Sequence, residues 1–329
     1  MIIVRTPNRA TLFGSSTDYP NWYKTHGGIS VNFAINKYSW FCCKNLPPFF
    51  EHTSKVSYSE VESVKNILDI KHNIIREALV YMNVHNVDLV HQSDLFSRCG
   101  LGSSSSFAVG LMHLLSSIKG EFWSKWKLAH ETIKLEQDIL KENVGLQDTI
   151  AATFGGLNQI DYFTNGNITI TPIFLNGNFM NSFEDSILLL FTGTQRTAHD
   201  ICGKYIPTLL EKEKQQLRMI EIAKEGIEEL KKENIENVGK LLNLTWEEKR
   251  QISPDISNPQ IDSIYELSKK YAWGFKLMGA GGGGTILILA PKENHQKIIE
   301  ESQLLQIPIR IDFNGSKILY FKQDELQRT

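Results

Sequence analysis

Gly100-Leu-Gly-Ser-Ser-Ser-Ser106 (GLGSSSS) is the stretch of this chain that decides its fold. Its two glycines let the backbone approach an anion, and its serines begin an apolar run over 107–115 that predicts a buried helix. A helix N-terminus offers unpaired N–H groups and the positive end of a dipole, both of which suit a phosphate. The stretch lacks the lysine of a Walker A loop, so that kind of nucleotide site is excluded. An ordinary serine-capped helix after a glycine turn is the alternative.

Two further glycine-bearing segments flank this stretch. The segment RATLFGSSTD occupies 9–18, and GAGGGG occupies 279–284, directly before a predicted strand. Glycine is entropically costly, and five glycines in six residues exceed what a turn needs. Close approach of this backbone to a ligand or to the serine loop would justify the cost. A tight helix-to-strand turn is the alternative.

Two carboxylates, Glu136 and Asp148, lie between the second and third segments. Phosphoryl transfer needs Mg²⁺ on the phosphate oxygens, a carboxylate to hold the metal, and a residue that positions the attacking hydroxyl. On local grounds, Asp148 is equally well placed as a helix N-cap, and Glu136 as a surface residue of a charged helix. Taken with the three glycine segments, however, the pair predicts a small-molecule kinase.

Composition sets the broad class of the protein. A length of 329 residues predicts two domains, and 41% hydrophobic with 22% charged residues is ordinary for a globular protein. A net charge of −2 gives no reason to expect nucleic acid or membrane as a partner. The four cysteines show no metal-ligand spacing, and Arg5 follows too soon for a signal peptide. We therefore expect a cytoplasmic protein that is a monomer or a homodimer.

Hydrophobic periodicity predicts strands and helices without strict βαβ alternation, which favours an α+β fold. A domain boundary is expected within 155–184. The predicted strands are 2–4, 10–13, 29–44, 87–91, 158–174, 187–191 and 285–290, and the predicted helices are 59–85, 107–115, 128–140, 149–154, 208–242 and 261–271.

The ordered motifs resemble those of the GHMP kinases (galactokinase, homoserine kinase, mevalonate kinase and phosphomevalonate kinase) over nearly the whole chain. Within that family the chain is most similar to the D-glycero-D-manno-heptose 7-phosphate kinases. The matching strings are PNR at 7–9, TDYPNWY at 17–23, HGG at 26–28, GLGSSSS at 100–106, EQDILKEN at 136–143, QD at 147–148, FGGL at 154–157, GTQR at 193–196 and GAGGGG at 279–284.

The resemblance implies a two-domain architecture. An N-terminal domain over 1–165 is expected to be like the second domain of ribosomal protein S5. A ferredoxin-like C-terminal domain over 166–329 is expected to carry GAGGGG. The site would lie between the two domains.

The resemblance also implies roles for matching residues. Asp148 matches the catalytic aspartate, and Arg9 matches the basic residue beside the acceptor hydroxyl. Glu136 and Ser104 match the Mg²⁺ ligands, and Asp18 matches the residue that grips sugar hydroxyls. The positions expected to bind ATP are Gly100, Leu101, Gly102, Ser103, Ser104, Ser105, Ser106, Gly281 and Gly282, and those expected to bind substrate are Asp18, Gly27, Gly28 and Arg196.

The implied reaction is ATP- and Mg²⁺-dependent phosphorylation of the anomeric hydroxyl of a heptose 7-phosphate. One departure bears on the sugar: GSSTD at 14–18 differs from both the GGGTD of heptose kinases and the GEHTD of galactokinases. A 1-kinase of an unphosphorylated hexose and a non-catalytic regulator are the alternatives. A phosphorylated substrate needs a cationic pocket, for which the candidates are Arg196, Lys24, Lys37 and Arg98.

Overall fold

The computed structural model describes residues 1–194 and 203–322. Within these ranges, two β-sheets and the helices packed on them build a mixed α and β protein, as predicted.

The first sheet has eight strands and runs β12-β1-β2-β5-β3-β4, with β6 paired to β2 and β7 paired to β6. All its pairs are antiparallel except the parallel pair of β3 with β5. Its strands are β1 (Ile2–Phe13), β2 (Gly28–Asn45), β3 (Ser54–Ser57), β4 (Val61–Val64), β5 (Val87–Ser93), β6 (Leu157–Tyr162), β7 (Ile168–Pro172) and β12 (Lys317–Phe321).

The second sheet has four antiparallel strands in the order β11-β8-β10-β9. Its central strands are almost wholly buried because both faces are covered, so they form continuous apolar runs. The strands are β8 (Ile187–Phe191), β9 (Gly274–Leu277), β10 (Thr285–Leu289) and β11 (Leu305–Gln306).

Ten α-helices lie within the described ranges. The predicted buried helix after GLGSSSS is confirmed, and it packs in the core beside β1 and β2. The helices are α1 (Pro20–His26), α2 (Asn73–Met82), α3 (Ser103–Ile118), α4 (Lys125–Lys134), α5 (Gln147–Phe154), α6 (Gly177–Ser186), α7 (Glu213–Lys231), α8 (Ile235–Arg250), α9 (Pro259–Ser268) and α10 (His295–Ser302).

The first strand differs from its prediction. Residues 2–4 and 10–13 were expected as two strands around a turn, but β1 is continuous through Pro7. Strand β12 covers β1 only from Ile2 to Arg5, so Pro7 faces no partner on that side and its missing N–H breaks no ladder there. The pairing register with β2 shifts between Pro7 and Asn8.

The predicted helix over 59–85 is wrong in its first half. Strands β3 and β4 form a hairpin there, a short 3₁₀ turn follows at Ile67–Asp69, and only α2 is helical. Val61 and Val64 fit a helical period by chance, whereas the β-branched valines suit the strand that they form.

The long helical region over 208–242 divides into α7 and α8, joined by a tight turn that includes Glu233 at positive φ. Gly226 of α7 lies against Phe13 of β1, because a Cβ there would come within 2.3 Å of the phenylalanine ring. One core cluster accordingly contains residues of β1, β2, α7, α8, β8 and β10. The two sheets thus share a hydrophobic core.

The division into 1–165 and 166–329 stays a prediction. Strand β7 continues the first sheet past residue 165, and β12 returns to it near the end of the described chain. Among the described helices, none combines the length and apolar character of a membrane span.

Candidate active site

A cavity of about 560 Å³ lies where the first sheet, α3 and the second sheet meet. All three glycine-bearing segments contribute to its wall, as do the loop before α5 and two helices of the second half. The sequence-predicted residues that line it are Arg9, Asp18, Gly100, Gly102, Ser103, Ser104, Ser105, Asp148 and Gly281.

The serine loop presents the N-terminus of α3 to this cavity. Gly100 and Gly102 both have positive φ, the backbone region that favours glycine. Gly102 also lies so close to Arg9 that a Cβ would be 3.0 Å from its Cγ. Ser103 and Ser104 follow at the cavity wall, where the free N–H groups of the first helical turn are available to an anion.

Two residues of the serine loop point into the protein instead. The Leu101 side chain is buried, and its carbonyl accepts from the backbone N–H of Arg9 at 3.0 Å. Ser106 is buried and its hydroxyl donates to the Thr6 carbonyl at 3.0 Å. Both residues therefore anchor the loop to β1.

The GAGGGG segment packs directly on the serine loop. A Cβ on Gly279 would lie 2.9 Å from the Gly100 Cα, and one on Gly284 would lie 2.8 Å from the Cys99 carbonyl oxygen. Gly282 donates its N–H to the Ile256 carbonyl at 2.9 Å and is not part of the cavity wall, whereas Gly281 is. Gly281 and Gly283 lie equally close to Ile256 and Thr194, so close approach on several sides accounts for the run of glycines.

Arg9 and Asp148 form a two-pronged ion pair at the cavity wall. Arg9 Nε donates to Asp148 Oδ1 at 2.6 Å and Nη2 donates to Oδ2 at 2.5 Å, while Nη1 donates to the Gly100 carbonyl at 2.8 Å. Asp148 stands in the first turn of α5 and Arg9 in β1, so the ion pair joins the first glycine segment to α5, and the bond to Gly100 joins it to the serine loop. The sequence allows Asp148 to be either a helix N-cap or a residue of the active site. In the structure its side chain faces the cavity and Arg9, as expected for a site residue.

Glu136 is buried behind the serine loop, with 1% of its surface exposed. It stands in a π-helical turn, Leu135–Ile139, that extends α4. Its carboxylate accepts hydrogen bonds from Ser105 at 2.8 Å and from Thr149 at 2.5 Å. Burial raises its pKa to about 7 although both hydroxyls act to lower it. The expected partner Ser104 is the exposed neighbour of Ser105 on the cavity side.

Asp18 occupies the other side of the cavity and has no exposed surface outside it. Its carboxylate accepts from the backbone N–H of Gln147 at 3.0 Å and from the Gln147 side-chain amide at 2.9 Å. Burial raises its pKa to about 6, against the hydrogen bond from the Gln147 backbone. Gly145 makes room for it, because a Cβ there would lie 1.9 Å from Asp18 Oδ2.

Gly27 and Gly28, which were also predicted to bind substrate, are not part of the cavity wall. Gly27 ends α1 at positive φ, and Gly28 begins β2 so close to Thr17 that a Cβ would lie 2.1 Å from its carbonyl oxygen. These glycines hold the segment that contains Asp18. Arg196 lies outside the described residues.

Of the other cationic candidates, Lys24 and Lys37 do not contribute to the cavity, and Arg98 does. Two lysines that sequence reasoning passed over, Lys249 and Lys276, also line it and are buried. Lys249 lies on α8 beyond the end of the helical region predicted over 208–242, and no local pattern marks it. Lys276 lies three residues before Gly279 as the one charged residue of the apolar strand β9, and this position in the sequence marks it as unusual.

The end of the cavity beside α2 and β5 is aromatic. His72 stacks on Phe107 with ring centroids 5.0 Å apart, and His91 meets the same ring edge-to-face at 4.6 Å. Burial lowers the pKa of His91 to about 4 and also lowers that of His72, so both rings are neutral near pH 7. Neutral planar rings with apolar neighbours suit a flat heterocycle.

Two family models match the chain. The GHMP kinases N-terminal domain matches residues 67–156, and the GHMP kinases C-terminal model matches residues 227–302. Together they cover half of the chain, and the first includes the serine loop, Glu136 and Asp148.

Individual relatives agree with that family at low identity. A bifunctional fucokinase/GDP-fucose pyrophosphorylase of Arabidopsis thaliana is 27% identical over 91% of this chain, which spans only 31% of that protein. A D-glycero-alpha-D-manno-heptose 7-phosphate kinase of Campylobacter jejuni is also 27% identical, over 91% of this chain and 92% of its own length.

A solved structure bears on the fold alone. A D-glycero-D-manno-heptose 1-phosphate kinase from Bacteroides thetaiotaomicron superposes with a TM-score of 0.80 at 16% identity, over 98% of this chain and all of that one. The predicted two-domain GHMP kinase fold is thereby confirmed. With both family domains matched and the three glycine segments meeting at one cavity, the chain belongs to the GHMP kinase family and is an ATP-dependent sugar kinase.

Proposed function

We propose that this enzyme transfers the γ-phosphoryl group of ATP to the anomeric hydroxyl of D-glycero-D-manno-heptose 7-phosphate. The product would be the 1,7-bisphosphate, made in the cytoplasm for nucleotide-activated heptose and surface polysaccharide. The observation that carries the proposal is the ion pair of Arg9 with Asp148, set between the serine loop and Asp18. The heptose kinase of Campylobacter jejuni, similar over nearly its whole length, supports the sugar.

In this proposal Asp148 receives the proton of the attacking hydroxyl. Arg9 holds both carboxylate oxygens, which fixes the carboxylate plane before the sugar binds. Because its guanidinium also reaches the Gly100 carbonyl beside the phosphate loop, the same cation is placed to offset charge on the transferring group. Asp18, held by Gln147, would orient the sugar through its hydroxyls.

The ATP phosphates would lie on the N–H groups at the start of α3, with the adenine in the aromatic end lined by His72, His91 and Phe107. In this arrangement the γ-phosphate would lie toward Arg9 and Asp148. GAGGGG would keep the serine loop in place by backbone contact.

The chemistry of the donors around Glu136 fits Mg²⁺. A carboxylate and hydroxyls are the oxygen ligands that this ion prefers, and a nearby cation would offset the burial that raises the pKa of Glu136. We propose that Glu136 and Ser104 hold the metal. When bound, Mg²⁺ would neutralise phosphate charge during transfer.

A coupled ADP-release assay over sugars and their terminal phosphates tests the function. We expect the highest kcat/KM with heptose 7-phosphate and a phosphorus NMR signal from a new anomeric phosphate. Higher kcat/KM with fucose, galactose or unphosphorylated heptose would favour the alternative, a 1-kinase of an unphosphorylated sugar. The fucokinase relative is the observation behind that alternative.

A further inference from the structure

Two lysines line the cavity although neither belongs to a predicted motif. Lys249 lies at the end of α8 and Lys276 in β9, and their exposed fractions are 3% and 1%. Lysine is almost never fully buried, because removing an ammonium group from water is costly. Two such residues at one cavity therefore call for an explanation beyond packing.

The hydrogen bonds of Lys276 hold it without cancelling its charge. Its Nζ donates to the carbonyls of Thr11 and Leu12 at 2.9 and 3.0 Å. The pairing register of β1 shifts between Thr11 and Phe13, which leaves these carbonyls turned toward β9. A carbonyl oxygen satisfies a donor and leaves the positive charge in place.

Lys249 reaches the same strand from the opposite direction. Its Nζ donates to the carbonyls of Gly279 at 2.5 Å and Leu277 at 3.3 Å, the residues on either side of Met278. The pKa of Lys276 is well below its usual range because of burial and because Lys249 and Arg9 lie beside it. An anion bound at this wall would offset both effects and favour the ammonium form of Lys276.

The position of the two lysines favours the acceptor over the nucleotide. Lys276 is fixed to β1 just before the segment that carries Ser15, Ser16 and Asp18. Lys249 comes from α8 in the second half of the chain, and Tyr205 lines the same cavity. The aromatic end, by contrast, is built on α2, β5 and α3.

The neighbouring charges point the same way. Arg9 is already matched to Asp148 through two hydrogen bonds. ATP has the start of α3 for its phosphates. Two ammonium groups at the acceptor side match the charge of a phosphate monoester, which carries close to two negative charges at neutral pH.

We propose that Lys249 and Lys276 form an anion subsite that binds the phosphate already present on the acceptor sugar. This inference rests on the proposed function in one respect, namely that the acceptor is a sugar phosphate. It assigns the specificity for a phosphorylated sugar to two residues on α8 and β9, in place of Lys24 and Lys37.

Steady-state kinetics of Lys249→Met and Lys276→Met test the subsite. With heptose 7-phosphate as acceptor, each variant should lose roughly 10- to 100-fold in kcat/KM, the cost of a lost hydrogen bond to a charged group. With unphosphorylated heptose, kcat/KM should change little, and the KM for ATP should stay as in the wild type. Lys249→Arg and Lys276→Arg retain the charge and should recover part of the loss.

Lys240→Met is the matched control, since Lys240 lies on the same helix in an exposed ion pair with Glu236. This variant should have the wild-type kcat/KM with both acceptors. An equal loss for the two acceptors, or a raised KM for ATP in the lysine variants, would overturn the proposal by assigning these lysines to folding or to the nucleotide.

Inorganic phosphate gives a test that does not depend on the sugar. At saturating ATP it should inhibit the wild type competitively against the acceptor, and Lys249→Met should weaken that inhibition roughly tenfold or more. Unchanged inhibition in Lys249→Met would contradict the subsite. If the wild type prefers unphosphorylated heptose, the proposed function fails, and the phosphate inhibition alone then decides the subsite.

Discussion

At the residue scale, the ion pair of Arg9 and Asp148 carries the sharpest expectation. Asp148→Asn keeps the shape of the side chain and removes its basicity, so kcat should fall by roughly 10²–10⁴ while ATP still binds. Single-turnover kinetics and an ATP-binding titration check this. Asp138→Asn, an exposed aspartate in the neighbouring π-helical turn, is the control. Near-normal turnover in Asp148→Asn would remove Asp148 from proton transfer.

Glu136 is expected to act through the metal. Glu136→Gln keeps its size and removes its charge, so the Mg²⁺ concentration for half-maximal activity should rise roughly 10- to 100-fold, the range seen when metal-binding sets are perturbed. A metal titration of activity measures it, with Glu131→Gln on α4 as control. The same titration curve in Glu136→Gln and wild type would refute the ligand role.

Asp18 should make stability depend on pH. Burial raises its folded pKa to about 6, above the unfolded value, so its contribution to stability is complete below the unfolded pKa and is lost as pH rises through about 6. Relative to Asp18→Asn, the free energy of unfolding of the wild type should fall by about 1 kcal/mol between about pH 5 and about pH 7.5. Urea unfolding of both proteins measures it, and parallel pH curves would contradict the shift.

Sequence patterns located the residues whose chemistry is local. Arg9, Asp148 and the serines stand in short motifs, and the structure brings them to one cavity. Gln147 and Lys276 were missed because their significance arises from contacts 129 and 265 residues away along the chain, and Lys249 because its partners lie 28 and 30 residues away. No spacing rule in a single sequence records such contacts.

At the scale of elements, the turn into α5 is fitted around Asp18. A Cβ on Gly145 would lie 1.9 Å from Asp18 Oδ2, so Gly145→Ala must displace that carboxylate. Overpacking of this kind costs roughly 1–3 kcal/mol, and we expect the KM for the sugar to rise about tenfold or more while the KM for ATP is unchanged.

Gly177→Ala is the matched control for this change, because a Cβ at Gly177 meets no atom within 4 Å. Initial-rate kinetics with each substrate varied in turn separate the two KM values. Equal KM values for the sugar in Gly145→Ala and wild type would show that Asp18 does not grip the acceptor.

Elements were predicted best where the hydrophobic pattern is strong. The apolar runs of α3 and β8 were found because burial on all sides leaves no ambiguity about their place in the core. The hairpin of β3 and β4 was missed because Val61 and Val64 satisfy a helical period as well as a strand. Pro7 suggested a turn. The strand continues through it because β12 ends its pairing with β1 at Arg5, so the missing N–H of Pro7 breaks no hydrogen bond there.

At the scale of the whole molecule, the two halves are joined in three ways. Phe13 packs on Gly226, Lys276 donates to β1, and β12 pairs with β1 so that the N-terminal ammonium donates to the Lys322 carbonyl at 2.7 Å. The number of domains is easier to predict from a sequence than the boundary between them. Strand pairing between distant segments leaves no local pattern in the sequence.

These links predict that a fragment of residues 1–165 does not fold alone. It lacks β7 and β12 of its own sheet and exposes the core that it shares with α7 and α8. Circular dichroism should show no cooperative thermal transition, while the full chain melts cooperatively. A sigmoidal melt together with well-dispersed amide NMR signals from the fragment would establish 1–165 as an independent domain.

The two-pronged contact between Arg9 and Asp148 also bears on futile hydrolysis of ATP. A water molecule in the place of the sugar would have to compete with the Arg9 guanidinium for both oxygens of Asp148. Water would make no other contacts with the site that offset the weakening of the charge-assisted bonds between Arg9 and Asp148. A sugar, by contrast, has further hydroxyls that Asp18 on the same cavity would bind. If Asp148 accepts the proton as proposed, the ion pair with Arg9 would itself disfavour water as an acceptor, and ATP hydrolysis without sugar would be slow.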